Sequence, residues 1–521
     1  MPDSCRVNHG QHNEGSVSRV STNTHLAQAP DDTPSLPAAT HSHVKSPLNR
    51  RTIQRNLLDT YSLPSFPIRR ERTDNDSRYG QRYIITVCRA FMSFGAPTHR
   101  LERYMQSTAE TLGISLDSFY LPGCMILSFS DAIKGSSEVR LVRCSEALHL
   151  GKLIDIHVVH KAVIRKQILT DQAINRLEEI SSRSETYPQW LRVLLFGLTS
   201  LCFGPISYGA RPIDLPLIFT LATLVGFLQL VIAPRSELYG YVFEITAAIL
   251  VSCLGRAFGS ISWGSDSMFC FSAISQASIV LLLPGFTITM SALGLQSKNM
   301  VSGAVRMVYA IIYTLFLAFG FMVGSAIYGA IDQNATSATT CSDEWPFWWQ
   351  IAFVVPFTVF FVLLNGGSWT KMPPMVVVTT AGWVVNHFSF QQFQSNTQIP
   401  QVLGALTVGL LSNLYSRLRQ GLAIAIMHPA IYIQVPGSFA ASGSLLSGLS
   451  IADLINHKST DASTELAGNH TSPSTLIASP MLDAGVSMIE IAVSITIGLS
   501  VSALVVYPFR RRTGKSGIFS L

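Results

Sequence analysis

Charged side chains are scarce in this sequence, making up 13 % of its 521 residues, about half the share carried by a water-soluble domain. That shortage excludes a chain solvated by water along its whole length. Cysteine is sparse too, and its eight residues form no CxxC pair and no Cys/His cluster, so the spacing supports neither a zinc site nor a disulfide framework. Cys88, Cys124 and Cys144 precede the apolar part, whereas Cys202, Cys253 and Cys270 lie within or beside apolar runs; small buried side chains are the expectation for all of them. No Gly-x-Ser-x-Gly, phosphate-binding loop or dinucleotide fingerprint accompanies His99 or Asp131. His157 and His160 sit within one helical turn, which a packed helix explains better than a metal site. The reading is therefore no enzyme, no cofactor and no metal. The net charge of +6 is no signal for nucleic acid, because the basic residues sit in the N-terminal tail and beside apolar runs without aromatic interleaving.

What the sequence has in abundance is apolar length. Hydrophobic residues reach 48 %, the mean hydropathy is +0.33, and both are concentrated after Trp190. A helix crosses a bilayer core in about 20 residues. Runs of that order are Trp190–Tyr208, Ile213–Ala233, Leu238–Phe258, Ser267–Leu283 and Val301–Tyr328, then Phe347–Leu364, Met375–Phe390, Pro400–Tyr415, Gly421–Val435 and Gly485–Tyr507. With the N-terminus in the cytosol, the cytosolic connections carry Arg235, Lys298, Arg306, Lys371, Arg417, Arg419 and the cluster Arg510, Arg511, Arg512 and Lys515. The other side has Arg211, Arg256 and Lys458. That asymmetry is what the positive-inside rule asks of a protein with both termini cytosolic. The sequons at Asn334 and Asn469 both fall on the non-cytosolic side, which predicts a glycoprotein of a eukaryotic endomembrane or plasma membrane.

Before the apolar part the chain changes character twice. Residues 1–78 are rich in Ser, Thr, Pro, Asn and His and end in a basic stretch containing Arg50, Arg51, Arg55, Arg69, Arg70 and Arg72. Such a segment buries too little apolar surface to offset ordering and reads as disordered. Its basic end suits anionic lipid. No apolar run follows Met1, which predicts no cleavable signal. From Tyr79, the residues Tyr83, Ile84, Val87, Cys88 and Phe91 recur at helical spacing until Gly95-Ala96-Pro97 breaks the run. Thr98 is placed to cap a second helix, Arg100 to Leu112, that Gly113 would end. Short β-like runs follow at Ser118–Leu121, Met125–Ser130 and Val139–Val142, then helices near Ser145–Val159 and Thr170–Ser182.

The pattern predicts a polytopic α-helical membrane protein of about ten transmembrane helices, as two inverted five-helix halves, with an N-terminal cytosolic α+β domain. Its segments are the tail at 1–78, the soluble domain at 79–187, the first membrane half at 188–329, a non-cytosolic loop at 330–346, the second half at 347–507 and a basic cytosolic tail at 508–521. An odd number of spans per half forces opposite orientations. The fourth run ends in Leu283-Pro284-Gly285 and the ninth in Val435-Pro436-Gly437-Ser438. Breaks at matching places of inverted halves point to a transporter's binding site, because freed backbone groups are tolerated in a membrane only beside protein or a wet cavity. Pro284, Gly285, Pro436, Gly437 and Ser438 are therefore the candidate substrate-binding residues. Glu244 and Glu490, carboxylates inside spans, are candidates for ion coupling. His428, beside Pro429, and Gln276 are further polar candidates.

The run Phe94-Gly95-Ala96-Pro97-Thr98-His99-Arg100-Leu101-Glu102 resembles the signature that opens the soluble domain of the threonine/serine exporter family, with Gly95, Arg100 and Glu102 at its marked positions. Leu112-Gly113, the Tyr187-Pro188-Gln189-Trp190 junction, Leu283-Pro284-Gly285-Phe286 through Arg306, and Val435-Pro436-Gly437-Ser438 are similar to later parts of the same family. The polar tail and sequons look like its fungal, pheromone-regulated branch. The resemblance spans roughly residues 80–507. It implies secondary transport of small polar solutes, amino acids such as threonine and serine, by alternating access driven by an ion gradient. The partners expected of the chain are membrane lipid, a small polar solute, a coupling ion and a second copy of itself in a homo-oligomer. The alternative is a membrane-anchored regulatory or sensor protein acting through its soluble domain. Arg100 and Glu102 are two apart on a helix and cannot face each other, so different partners are expected for them.

Overall fold

The computed structural model describes residues 7–8, 74–131, 136–263, 266–332, 335–336, 341, 345–393, 396, 398–419, 421–442 and 473–507. Residues 1–6, 9–73 and 508–521 and both sequon asparagines, Asn334 and Asn469, lie outside them.

Helix α1, Asp74–Ser93, is laid down by the spacing noted above: Tyr83, Ile84, Val87, Cys88 and Phe91 are all fully buried. It stops where Gly95 takes a positive φ of 84°, with the Ala96 N–H bonded to the Phe91 carbonyl. Only glycine fits there, because a Cβ would meet Leu148 Cδ1 at 2.9 Å and the Ala147 carbonyl at 3.1 Å. Helix α2, Thr98–Leu112, begins two residues earlier than expected; Pro97 is its cap residue and Thr98 its first helical one. Gly113 ends it in the left-handed conformation, as its position predicts.

Strands β1, Ser115–Leu121, β2, Cys124–Asp131, and β3, Ser136–Arg143, form an antiparallel meander with Tyr120 opposite Met125 and Met125 opposite Val142. Alternation puts Tyr120, Met125, Leu127, Phe129 and Val142 on its buried face. Helices α3, Leu150–Ile164, and α4, Thr170–Ser182, complete this α+β layer. α3 starts later than the periodicity predicts, because the preceding segment is held along the end of α1. The Ala147 N–H bonds to Ser93 O and the His149 N–H to Phe94 O, and His149 Nδ1 then caps α3 by accepting from the Lys152 N–H.

The rest is helical: α5, Gln189–Ser207, α6, Leu215–Phe227, α7, Glu237–Gly259, α8, Phe271–Ile279, α9, Gly285–Gln296, and α10, Met300–Ile331. Then come α11, Phe347–Leu364, α12, Met372–Gln392, α13, Gln398–Arg419, α14, Ala423–Ser442, and α15, Pro473–Val506. Among the described residues six helical stretches are long and apolar enough to cross a membrane, and a seventh is the pair α8–α9, bent by 53°. The chain is a multi-pass membrane protein. α12 and α13, 21 and 22 residues long, fall short on hydropathy rather than length. Polar groups of α13 such as Gln401, Ser412 and Asn413 are buried against neighbouring helices, so they lower the hydropathy without facing lipid. The apolar part of α14 is short, Ala423–Val435.

The cysteine expectation needs correction: Cys270 and Cys341 form a disulfide, with Cα atoms 5.9 Å apart. The chain brings them together from 71 residues apart, a pairing that no local spacing signals. Around this bridge Asp214, fully buried, accepts from the Cys270 and Arg211 N–H groups, and Arg256, 1 % exposed, donates to the carbonyls of Ser325 and Thr336. The α+β layer meets the other end of the helices. The Leu150 N–H bonds to Asn365 O, and Arg306 at the start of α10 donates to the Tyr120 hydroxyl at 2.5 Å and to the Glu146 carboxylate. Arg306 and Ser325 lie about 29 Å apart along α10 at 1.5 Å per residue, so the two ends are well separated.

Candidate functional site

Pro284 removes a backbone donor and cannot continue the preceding turn. The chain tightens into a 3-10 turn at Val280–Leu282, breaks at Leu283 and Pro284, and restarts as α9. Two carbonyls ahead of the break are met by α14: the Tyr432 hydroxyl lies 2.8 Å from Leu281 O and 3.3 Å from Val280 O, which also accepts the Leu283 N–H. Gly285 then packs against the same helix. A Cβ on it would stand 2.5 Å from Val435 Cγ1, so the approach requires glycine.

A cavity of about 390 Å³ opens beside this break, within the range of small-molecule sites. Leu281 to Pro284, Phe286 and Thr287 line it, together with Tyr309 and Tyr313 of α10, Phe361 and Leu364 of α11, and His428 and Tyr432 of α14. Leu148, Arg192 and Asn365 also contribute. Leu148 leads into α3 and Asn365 accepts from Leu150, so the cavity adjoins the α+β layer. His428 is 2 % exposed, with its ring edge-on to Phe286 at 3.9 Å and stacked on Phe361 at 5.5 Å.

The candidates fall in different places. Pro284 lines the cavity and Gly285 meets Val435, the residue before Pro436. The backbone at Pro436, Gly437 and Ser438 stays helical within α14, so the break expected there is found only at Pro284. A proline inside a helix removes one hydrogen bond, whereas at Pro284 the chain has already left α-geometry. Glu244 of α7 is within electrostatic reach of Tyr309 and Tyr313, two residues that line the cavity, and is not itself a lining residue. Glu490 is exposed on the face of α15 that also exposes Val486, Val493 and Ile497, away from the cavity. Gln276 donates to Ser272 Oγ at 3.0 Å within α8.

Of the signature residues, Glu102 accepts the Tyr120 N–H at 2.8 Å. Arg100 is buried beside Tyr104 and within electrostatic reach of Tyr507 at the end of α15, and burial brings its pKa down to about 10. Tyr432, Tyr309 and Tyr313 were not singled out from the sequence, because tyrosines in apolar runs carry no local signal. The i,i+4 spacing of His428 and Tyr432, which puts both on one helix face, was the available clue.

A model of the threonine/serine exporter family matches residues 82–328 and 339–447. The chain belongs to that family. It is 43 % identical over 446 residues to pheromone-regulated membrane protein 10 of Candida albicans, covering 85 % of this chain and 39 % of that protein. It is 42 % identical over 442 residues to the protein of that name in Candida glabrata, covering 85 % and 54 %. An uncharacterized protein of Schizosaccharomyces pombe is 43 % identical over 444 residues, covering 84 % and 57 %. The chain thus spans between 39 % and 57 % of the length of these curated relatives. No solved structure matches it.

Proposed function

We propose that this protein is a secondary transporter that moves small polar solutes, amino acids such as threonine and serine among them, by alternating access. The observation that carries the reading is the helix break at Pro284, which opens onto a cavity rather than onto lipid or packed protein. Irregular backbone at membrane depth is tolerated in that setting, and broken helices build the sites of transporters. The family match supports solute export as the class of activity.

The reading includes ten spans in two inverted halves, with α12, α13 and α14 crossing beside the more apolar helices. Both termini are cytosolic, so the cavity opens toward the cytosol past the α+β layer. The disulfide supports this orientation, since Cys270 and Cys341 then lie on the non-cytosolic side, where disulfides persist. Pro436, Gly437 and Ser438 face Pro284 and Gly285 across the transport path, and Glu244 or Glu490 takes part in ion coupling. Flux of labelled threonine and serine in proteoliposomes, with and without a proton or sodium gradient, tests the reading. Absence of gradient-driven flux for a broad amino-acid panel would remove it.

A further inference from the structure

We propose that the amino end of α9 and the His428 imidazole form one subsite for the carboxylate of a small organic solute. The inference rests on the transport reading in taking the cavity for the solute's path. α9 is 12 residues long, its cap residue Pro284 supplies no side-chain hydrogen bond, and its first turn at Phe286 and Thr287 lines the cavity. The first amides of a helix have no partner within it and carry a partial positive charge, so they attract an anion.

His428 is the independent observation. It is 98 % buried, its ring lies against Phe286 in the first turn of α9, and it lines the same cavity. Among the described residues its contacts are with aromatic rings, and no hydrogen bond engages either ring nitrogen. A buried imidazole without a polar partner is costly unless something that enters the cavity supplies one. Arg192 is a lining residue whose guanidinium also pairs with Glu185 at 3.6 Å, and no aspartate or glutamate is among the described lining residues, so no carboxylate there opposes an anion. An incoming carboxylate would accept from the amides at one oxygen and from the imidazole N–H at the other. The aromatic walls formed by Phe286, Phe361 and Tyr432 limit the rest of the solute to a compact body.

The test measures binding to the full-length protein in lipid nanodiscs, using L-serine and glycolate beside L-serinamide and glycolamide, which lack the carboxylate. The acids are expected to bind at least about tenfold more tightly than their amides, a difference of about 1.4 kcal/mol. His428→Leu should largely abolish that preference, while His428→Gln, which keeps a donor and an acceptor, should retain part of it. The wild-type comparison decides even where His428→Leu does not fold: amides that bind as tightly as acids, or no binding by either, overturn the subsite. Flux of solutes without acid preference removes the subsite and leaves the transporter standing. Acid-selective binding without flux does the reverse.

Discussion

Tyr432 and Leu281 are joined by a hydrogen bond of 2.8 Å that ties α14 to the broken segment ahead of α9. A buried carbonyl left without its donor costs about 1–3 kcal/mol. Tyr432→Phe is therefore expected to lower the melting temperature of the purified protein and to reduce flux, with membrane insertion unaffected. An unchanged melt would mean that the break holds itself open without help from α14.

Gly285 and Val435 make a second contact between the same elements. A methyl at 285 would press on Val435 Cγ1, so Gly285→Ala should impair flux and Val435→Ala should restore part of it in the double variant. Non-additivity is the readout, since residues in contact couple and distant ones do not. Gly285→Leu and Gly437→Leu should each abolish transport, and Ser438→Ala should weaken apparent affinity. Full activity in both leucine variants would detach the two Pro-Gly segments from the transport path.

These contacts also show what the sequence made legible. The α1 core and the Gly95 and Gly113 stops follow from helical spacing and positive-φ requirements, which are local. The break at Pro284 is local as well, because proline acts on its own turn. The disulfide was hidden, because pairing Cys270 with Cys341 depends on a tertiary fold that joins residues 71 apart in sequence. His428 was visible as a polar group in an apolar run, but its cavity was not, since the walls come from α9, α10, α11 and α14. Glu490 is read from the sequence alone as an intramembrane carboxylate, which calls for a cavity or a partner, and the fold places it exposed beside Val486 and Val493.

Glu102 gives the family signature a physical task, because its carboxylate holds the Tyr120 N–H while the Tyr120 hydroxyl meets Glu146 and Arg306. The guanidinium also lies 5.6 Å from the Tyr120 ring centroid. Glu102→Ala should destabilise the layer by about 1–3 kcal/mol, the range for removing a charged acceptor from a partly buried N–H. Arg306→Ala should cost less, about 1 kcal/mol, because the pair is partly solvated, but should speed proteolytic clipping of the layer. If Glu102→Ala leaves stability and flux unchanged, the signature has no role in this contact.

His157 and His160 make the layer acid-sensitive. Burial holds both imidazoles down to about 3, while the unfolded chain protonates near 6.5. The unfolded state thus binds more protons between those values, so stability is full above about pH 6.5 and declines as pH falls toward 3. Thermal melts of the full chain from pH 7 to pH 4 should show this slope, and His157→Leu should flatten it. An equally steep slope in that variant would place the acid sensitivity elsewhere.

The orientation of the helices is open to a chemical test that does not depend on transport. Cys270 and Cys341 are bridged at the end of the bundle opposite the α+β layer. If both termini are cytosolic, that end lies in an oxidising compartment, and the bridge belongs there. In sealed vesicles with the cytosolic face outward, a membrane-impermeant reductant should leave the bridge intact, and a permeant one should open it to alkylation. Asn334 and Asn469 fall on the same side in this topology, so Asn334→Gln and Asn469→Gln should each remove a glycosidase-sensitive mobility shift. Protease added outside should meanwhile cut the N-terminal tail. Reduction by the impermeant reagent, together with protection of the tail, would invert the topology and with it the side on which the cavity opens.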